Sequence, residues 1–193
     1  YGCGWGHYAY ELAQNNNKVT GIDLMQNEID ICKMVWKENP NLRFLATDIS
    51  GIESETYDAV LSAQVIEHVH NVGNYLSGIS RVLTTSGYLI ISLPNVMNPR
   101  YFLSLMNSKY ENKLLDTSEY YLNNYKKQVH HVNSWDPFHF TILLASAGFK
   151  LVKYSGSEGI PMPSTKFLPK YITGNLSNAK RLKNYSYTMQ FLF

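Results

Sequence analysis

The sequence predicts an α/β fold, a doubly wound and mostly parallel sheet that closes on an antiparallel last strand. Three observations carry that expectation. Strand and helix patterns alternate over the first 95 residues, as in a parallel sheet linked by helical crossovers. A glycine-rich turn, Gly2-Cys3-Gly4-Trp5-Gly6, runs straight into a helical pattern. An acid, Asp23, then ends the strand pattern Val19-Thr20-Gly21-Ile22-Asp23. In open α/β sheets a ligand lies outside the carboxyl ends of the strands, and an acid there can grip a pair of ribose hydroxyls.

Each element follows in order. Residues 7–14 hold Tyr8, Ala9, Leu12 and Ala13 at helical spacing, and Asn15-Asn16-Asn17 break the pattern. Residues 18–23 read as a strand. Residues 28–38 form an amphipathic helix on Ile29, Ile31, Cys32 and Val35, with Pro40 barring its continuation. Strands are expected over 42–46, ending at Thr47-Asp48, and over 57–62. A helix follows over 72–83. Residues 87–93 are almost wholly apolar, which suits a strand covered on both faces. Residues 96–135 depart from the alternation as an aromatic insert or lid, with Tyr101, Phe102, Tyr110, Tyr120, Tyr121, Tyr125 and Trp135. Asp136-Pro137 is an N-cap followed by proline at the first helical position, and Gly148 ends that helix. A strand over 149–154, a loop with Pro161, Pro163 and Pro169, and a last strand over 185–193 complete the chain. The expected organisation is one domain over 1–193, with a cofactor half at 1–95, the insert at 96–135 and C-terminal helix and strands at 136–193. A turn of this kind ordinarily leaves the end of a first strand. That strand is missing ahead of Gly2, so the chain reads as a fragment.

Composition narrows the function classes. At 193 residues, 45% apolar and 17% charged, the chain can bury a core and has no disorder signature. A net charge of +2 gives no argument for nucleic acid. After Glu158 the charges are all basic (Lys166, Lys170, Lys180, Arg181, Lys183), either a solvated face or a welcome for an anionic substrate. Cys3 and Cys32 form neither a disulfide framework nor a zinc spacing, which fits a reducing cytoplasm. No apolar run approaches the ~20 residues of a membrane span, so no integral membrane segment is expected.

The turn spacing separates two ligand classes. In a dinucleotide-binding Gly-x-Gly-x-x-Gly the third glycine would fall at position 7, where this chain has His7; its third glycine comes earlier, at Gly6. That disfavours a pyrophosphate and an NAD-dependent oxidoreductase. Taken with Ala46-Thr47-Asp48-Ile49, Tyr57-Asp58-Ala59-Val60, Val65-Ile66-Glu67-His68-Val69 and Gly87-Tyr88-Leu89-Ile90-Ile91-Ser92-Leu93-Pro94-Asn95, the opening resembles the class I S-adenosylmethionine-dependent methyltransferases. The likeness is strongest to the small-molecule branch that includes ubiquinone-biosynthesis O-methyltransferases, and it covers residues 1 to about 95.

The resemblance implies a Rossmann-like sheet and S-adenosylmethionine as cofactor. It implies that Gly2, Cys3, Gly4 and Gly6 approach the methionine portion and that Asp23 accepts both ribose hydroxyls. Leu24 and Met25 would pack beside the adenine, Asp48 would accept from its amino group, Ile49 would cover a ring face, and Gln64 would border the pocket after the fourth family strand. Glu67 and His68 are expected to orient that loop. The candidate base is His131, with His130 second, because each offers an imidazole near the end of the insert. No metal is expected, since no acid lies at ligand spacing beside the pair and His139 lies beyond Pro137. The implied acceptor is a small molecule: a phenol, a quinone precursor, a sugar or a lipid-linked glycan. A non-catalytic methyltransferase-like module is the alternative.

Overall fold

A computed structural model describes residues 1–98, 110–124, 130–157 and 188–193, with the backbone alone for 110–113, 157, 188 and 189. The chain gathers into two compact units. One comprises Tyr1–Val65 and Asn71–Ile91, the other Ile66–His70 and Ser92–Phe193.

In the first unit the glycine turn leads into α1 (His7–Ala13), followed by β1 (Val19–Asp23), α2 (Gln26–Val35) and β2 (Leu42–Ala46). β1 and β2 pair in parallel, from Val19 opposite Leu42 to Asp23 opposite Ala46. That register sets Asp23 at the carboxyl end of its strand, as the sequence predicts. Ala9 of α1, Ile29 and Cys32 of α2 and Phe44 of β2 form a buried cluster, with Cys3, Val19, Trp36 and Leu42 packed on its edge. Burying each large aliphatic side chain contributes about 1.5–3 kcal/mol. The helix expected over 28–38 starts earlier and gives way at Trp36. The indole of Trp36 donates to the Trp5 carbonyl at 2.9 Å, and its ring stacks on Tyr10 at 4.2 Å. Those contacts turn the side chain toward the glycine turn.

β3 (Tyr57–Ala63), α3 (Val72–Val82) and β4 (Leu83–Pro94) follow, with β3 and β4 as neighbours in their sheet. Asn71 caps α3 by accepting from the Asn74 amide at 3.0 Å. The helix buries Tyr75, Leu76, Ile79 and Val82. Arg81 reaches back to the carbonyls of Ile49 at 2.7 Å and Ile52 at 2.6 Å, fastening the loop after β2. β4 begins four residues before the expected start, because Leu83 turns extended at the end of α3 and the β-branched Thr84 and Thr85 continue it. Between β1 and β3 lies a cavity of about 960 Å³, walled by Val19–Ile22, by Tyr57–Leu61 and by Ala9 and Leu12 of α1.

The second unit holds α4 (Tyr110–Asn124), α5 (Pro137–Ser146), β5 (Lys153–Ser157) and β6 (Thr188–Leu192). The Asp136 carboxylate caps α5 by accepting from the Phe138 and His139 amides at 2.9 and 3.1 Å. Phe140 and Leu144 of α5 are fully buried, and Phe140 packs against Trp135 and Phe191. Gly148, with φ 90°, ends the helix as expected. β5 and β6 pair antiparallel, Lys153 opposite Leu192. β5 starts later than the expected 149–154, because the Phe149 amide is still bonded to the Leu144 carbonyl at 3.0 Å. The sequence pattern does not show α4. Its side chains at 114–123 are exposed, so they present no buried face. Tyr101, Phe102, Tyr125, the three late prolines and the basic run lie outside the described residues. Among those described, no helix is long and apolar enough to cross a membrane.

Candidate functional site

The glycine turn is built by backbone that side chains would block. Gly2 and Gly6 sit at φ 67° and 79°, in the left-handed region. A Cβ on Gly2 would fall 2.4 Å from Val65 Cγ2, and one on Gly6 would fall 2.8 Å from the Phe44 ring. The Cys3 amide bonds to the Ile22 carbonyl at 3.0 Å, tying the turn to β1.

Asp23 fastens the turn from below. One carboxylate oxygen accepts from the Gly4 amide at 2.9 Å and the other from the Met25 amide at 3.1 Å. A carboxylate has about four acceptor directions, so each oxygen keeps capacity for one more donor. A pair of ribose hydroxyls matches that remainder. Leu24 and Met25 follow immediately, both exposed and able to lie against an apolar ring face. Burial first, then the neighbouring Cys32 and Asp23, pushes the Cys3 thiol up to about 12, so it is no nucleophile at neutral pH.

Asp48 is engaged within the protein. One of its oxygens accepts the Tyr1 hydroxyl and the other accepts from Ser50 at 3.2 Å. The Tyr1 hydrogen bond, foremost, holds the Asp48 carboxyl below the usual carboxylate range. Ile49 is buried against Gly78, where a Cβ would meet its Cγ2 at 2.5 Å. Gln64 stands exposed just beyond β3 with φ 56°, a conformation uncommon outside glycine and a frequent mark of functional loops. Glu28, which sequence reasoning passed over, brings a carboxylate oxygen within 3.6 Å of a Cβ placed on Gly4. Its position on the first turn of α2 was the available signal.

In the second unit, the segment at 66–70 is laced to residues 130–133. The Glu67 carbonyl accepts from the Val132 and Asn133 amides at 2.8 and 3.0 Å, and the Asn133 side chain donates to the Val69 carbonyl at 2.5 Å. His68 Nδ1 lies 2.9 Å from the His130 carbonyl. The acceptor there is a carbonyl, so Nδ1 carries the proton. The His68 and His131 rings meet edge to face at 4.7 Å. The His130 ring packs on Tyr121 of α4 at 4.2 Å, with its Nε2 buried and, among the described residues, unpartnered. The expected pair therefore divides. His130 is turned into packing, and His131 is the exposed imidazole.

Glu67 is 1% exposed, and among the described residues neither of its carboxyl oxygens has a hydrogen-bond partner. Burial pushes that carboxyl above its ordinary value. His68 Nε2 lies 4.0 Å from its Oε1. Desolvation, then repulsion from His68, lowers the His131 imidazole below its usual value. Among the described residues, Glu67, His68 and His131 bring potential ligand atoms within 4.8 Å of one another, close enough for a metal ion. Sequence spacing could not show this, because the acid comes from far upstream. His139 is held by Asp136, its Nδ1 2.5 Å from Oδ2.

Comparisons with known proteins bear on the whole arrangement. Residues 1–91 match the family described as Methyltransferase domain. The chain is 34% identical over 111 residues to the ubiquinone biosynthesis O-methyltransferase of Rickettsia canadensis (strain McKiel), covering 56% of this chain and 47% of that protein. The same-named protein of Rickettsia akari (strain Hartford) is also 34% identical, over 56% of this chain and 44% of its own length. The chain thus spans about half the length of the curated relatives it matches. In three dimensions it is similar to a SAM-dependent methyltransferase from Archaeoglobus fulgidus (TM-score 0.65, 15% identity, 99% of this chain and 82% of that one). It is likewise similar to an S-adenosylmethionine-dependent methyltransferase from Mesorhizobium loti (TM-score 0.61, 14% identity, 99% and 87%). At such identities these structures establish the fold.

Proposed function

We propose that this chain, whose first 91 residues match a methyltransferase-domain family and whose fold is similar to that of S-adenosylmethionine-dependent methyltransferases, transfers a methyl group from S-adenosylmethionine to a hydroxyl of a small-molecule acceptor. The observation that carries the reading is Asp23, bound to the Gly4 and Met25 amides with acceptor capacity left on both oxygens. The cofactor fits these residues. The turn holds left-handed backbone at Gly2, Gly4 and Gly6 that side chains would strain, and the Asp23 carboxylate bonded to it suits two adjacent hydroxyls.

When bound, S-adenosylmethionine supplies a methyl group already activated on a positively charged sulfur. The chain's own task is then to hold, orient and deprotonate. Gly2, Cys3, Gly4 and Gly6 form the cradle, Asp23 grips the ribose, and Leu24 and Met25 lie beside the adenine. Asp48 and Gln64 border the same pocket, while Ile49 supports it from the core. His131 takes the proton from the acceptor hydroxyl, and a neutral imidazole is suited to that near pH 7. The names of the Rickettsia relatives favour oxygen as the methylated atom and a quinone precursor or related phenol as the acceptor. The cytoplasm as the site of action belongs to the same proposal.

The test is methyl transfer from radiolabelled S-adenosylmethionine by the full-length protein to a panel of phenols, quinone precursors and sugars. Label on a hydroxyl oxygen of one class supports the reading. His131→Ala is expected to lower turnover by about 10²- to 10⁴-fold, the usual worth of a general base, with cofactor affinity kept. Undiminished turnover would remove His131 from the chemistry.

A further inference from the structure

We infer that His68 is a positioning residue, which sets the His131 ring by fastening the segment that carries it. The inference rests on the reading of His131 as the base, and the geometry adds what that reading leaves open. His131 is exposed, and an exposed imidazole on an unsupported segment would sample several rotamers. Two contacts from one side chain restrict it. His68 Nδ1–H binds the carbonyl of His130, the residue just before His131, at 2.9 Å, and the His68 ring meets the His131 ring at 4.7 Å and 70°.

The segment around His68 is itself fixed. The Glu67 carbonyl takes two amides from residues 132 and 133, and Asn133 bonds back to the Val69 carbonyl. His130 and His131 are thus held from both sides, by His68 before them and by the Glu67 and Val69 carbonyls after. Of these contacts, those of His68 alone come from a side chain that touches both histidines' positions. A support of this kind orients a reacting group through a second layer of hydrogen bonds, and its removal lowers activity without touching substrate.

The experiment compares His68→Ala, His68→Asn and His68→Gln in the full-length protein. An Asn amide places an N–H near the Nδ1 position, whereas a Gln amide reaches toward Nε2. Alanine and glutamine are expected to lower kcat by about ten- to a hundredfold, and asparagine to restore most of it, with the cofactor KM held within about twofold throughout. Wild-type turnover in His68→Ala, or rescue by glutamine in place of asparagine, would overturn the inference. The latter would put the work on Nε2. A second measurement needs no turnover. Nuclear Overhauser contacts between the His68 and His131 ring protons, in protein labelled at histidine, are expected in the wild type, and their absence would overturn the positioning role. Failure of the base reading shows separately, as full activity in His131→Ala.

Discussion

At the scale of single residues, Asp23 and Gly6 do the most for the proposed cofactor site. Asp23→Ala removes one hydrogen bond to the turn, one to the Met25 amide, and the acceptors proposed for the ribose. It is expected to weaken S-adenosylhomocysteine binding by about 1.5–3 kcal/mol, the range for hydrogen bonds to a charged group, as read by calorimetry. Equal affinity in the variant would remove the ribose assignment. Gly6→Ala puts a Cβ 2.8 Å from the Phe44 ring at φ 79°. A loss of about 1–3 kcal/mol in stability is expected from that strain, with a denaturant midpoint as the readout. These two residues were legible because glycine spacing and a terminal acid are local patterns. Glu67 was legible as a motif residue but not as a buried carboxyl, unpartnered among the described residues. Its backbone carbonyl is bonded to the amides of residues 132 and 133, and one sequence cannot show which distant segment a loop will pair with.

At the scale of elements, α5 is a case where sequence and structure coincide. Asp136-Pro137 marks its start, Gly148 its end, and the cap hydrogen bonds are in place. Asp136→Ala is expected to cost about 1 kcal/mol, measured by chemical unfolding. The cap also has a pH signature. Burial alone would raise the Asp136 carboxyl, but hydrogen bonds from the His139 amide and imidazole and from the Phe138 amide outweigh it and hold it below 3.8. A depressed carboxyl contributes stability that is complete above its unfolded value and lost as pH falls through the folded one. The destabilisation of Asp136→Ala should therefore be full at pH 6 and shrink below about pH 4. A penalty that does not change with pH would contradict the cap. Where the reading of elements failed, the causes are physical. Among the described side chains, α4 has no buried face to impose a period. The start of β5 is delayed by the bond that closes the end of α5, and α2 is cut short by the contacts of Trp36 with Trp5 and Tyr10.

At the scale of the whole molecule, the alternation of strands and helices, the parallel β1–β2 pair and the antiparallel β5–β6 pair agree with the fold class that the sequence predicts. The structural likenesses extend that agreement over 99% of the chain. The methyl acceptor was not legible, because acceptor pockets are assembled from loops, and here the insert at 96–135 carries no local pattern that names a ligand. A ligand that binds only the folded state stabilises it by RT ln(1 + L/Kd), L being the free ligand concentration, and so raises its melting temperature. S-adenosylhomocysteine is therefore expected to stabilise the full-length protein and NADH is not. The measurement that bears most directly on the central claim is a calorimetric titration of that protein with S-adenosylhomocysteine. The account predicts saturable one-to-one binding, and heat of dilution alone would contradict it.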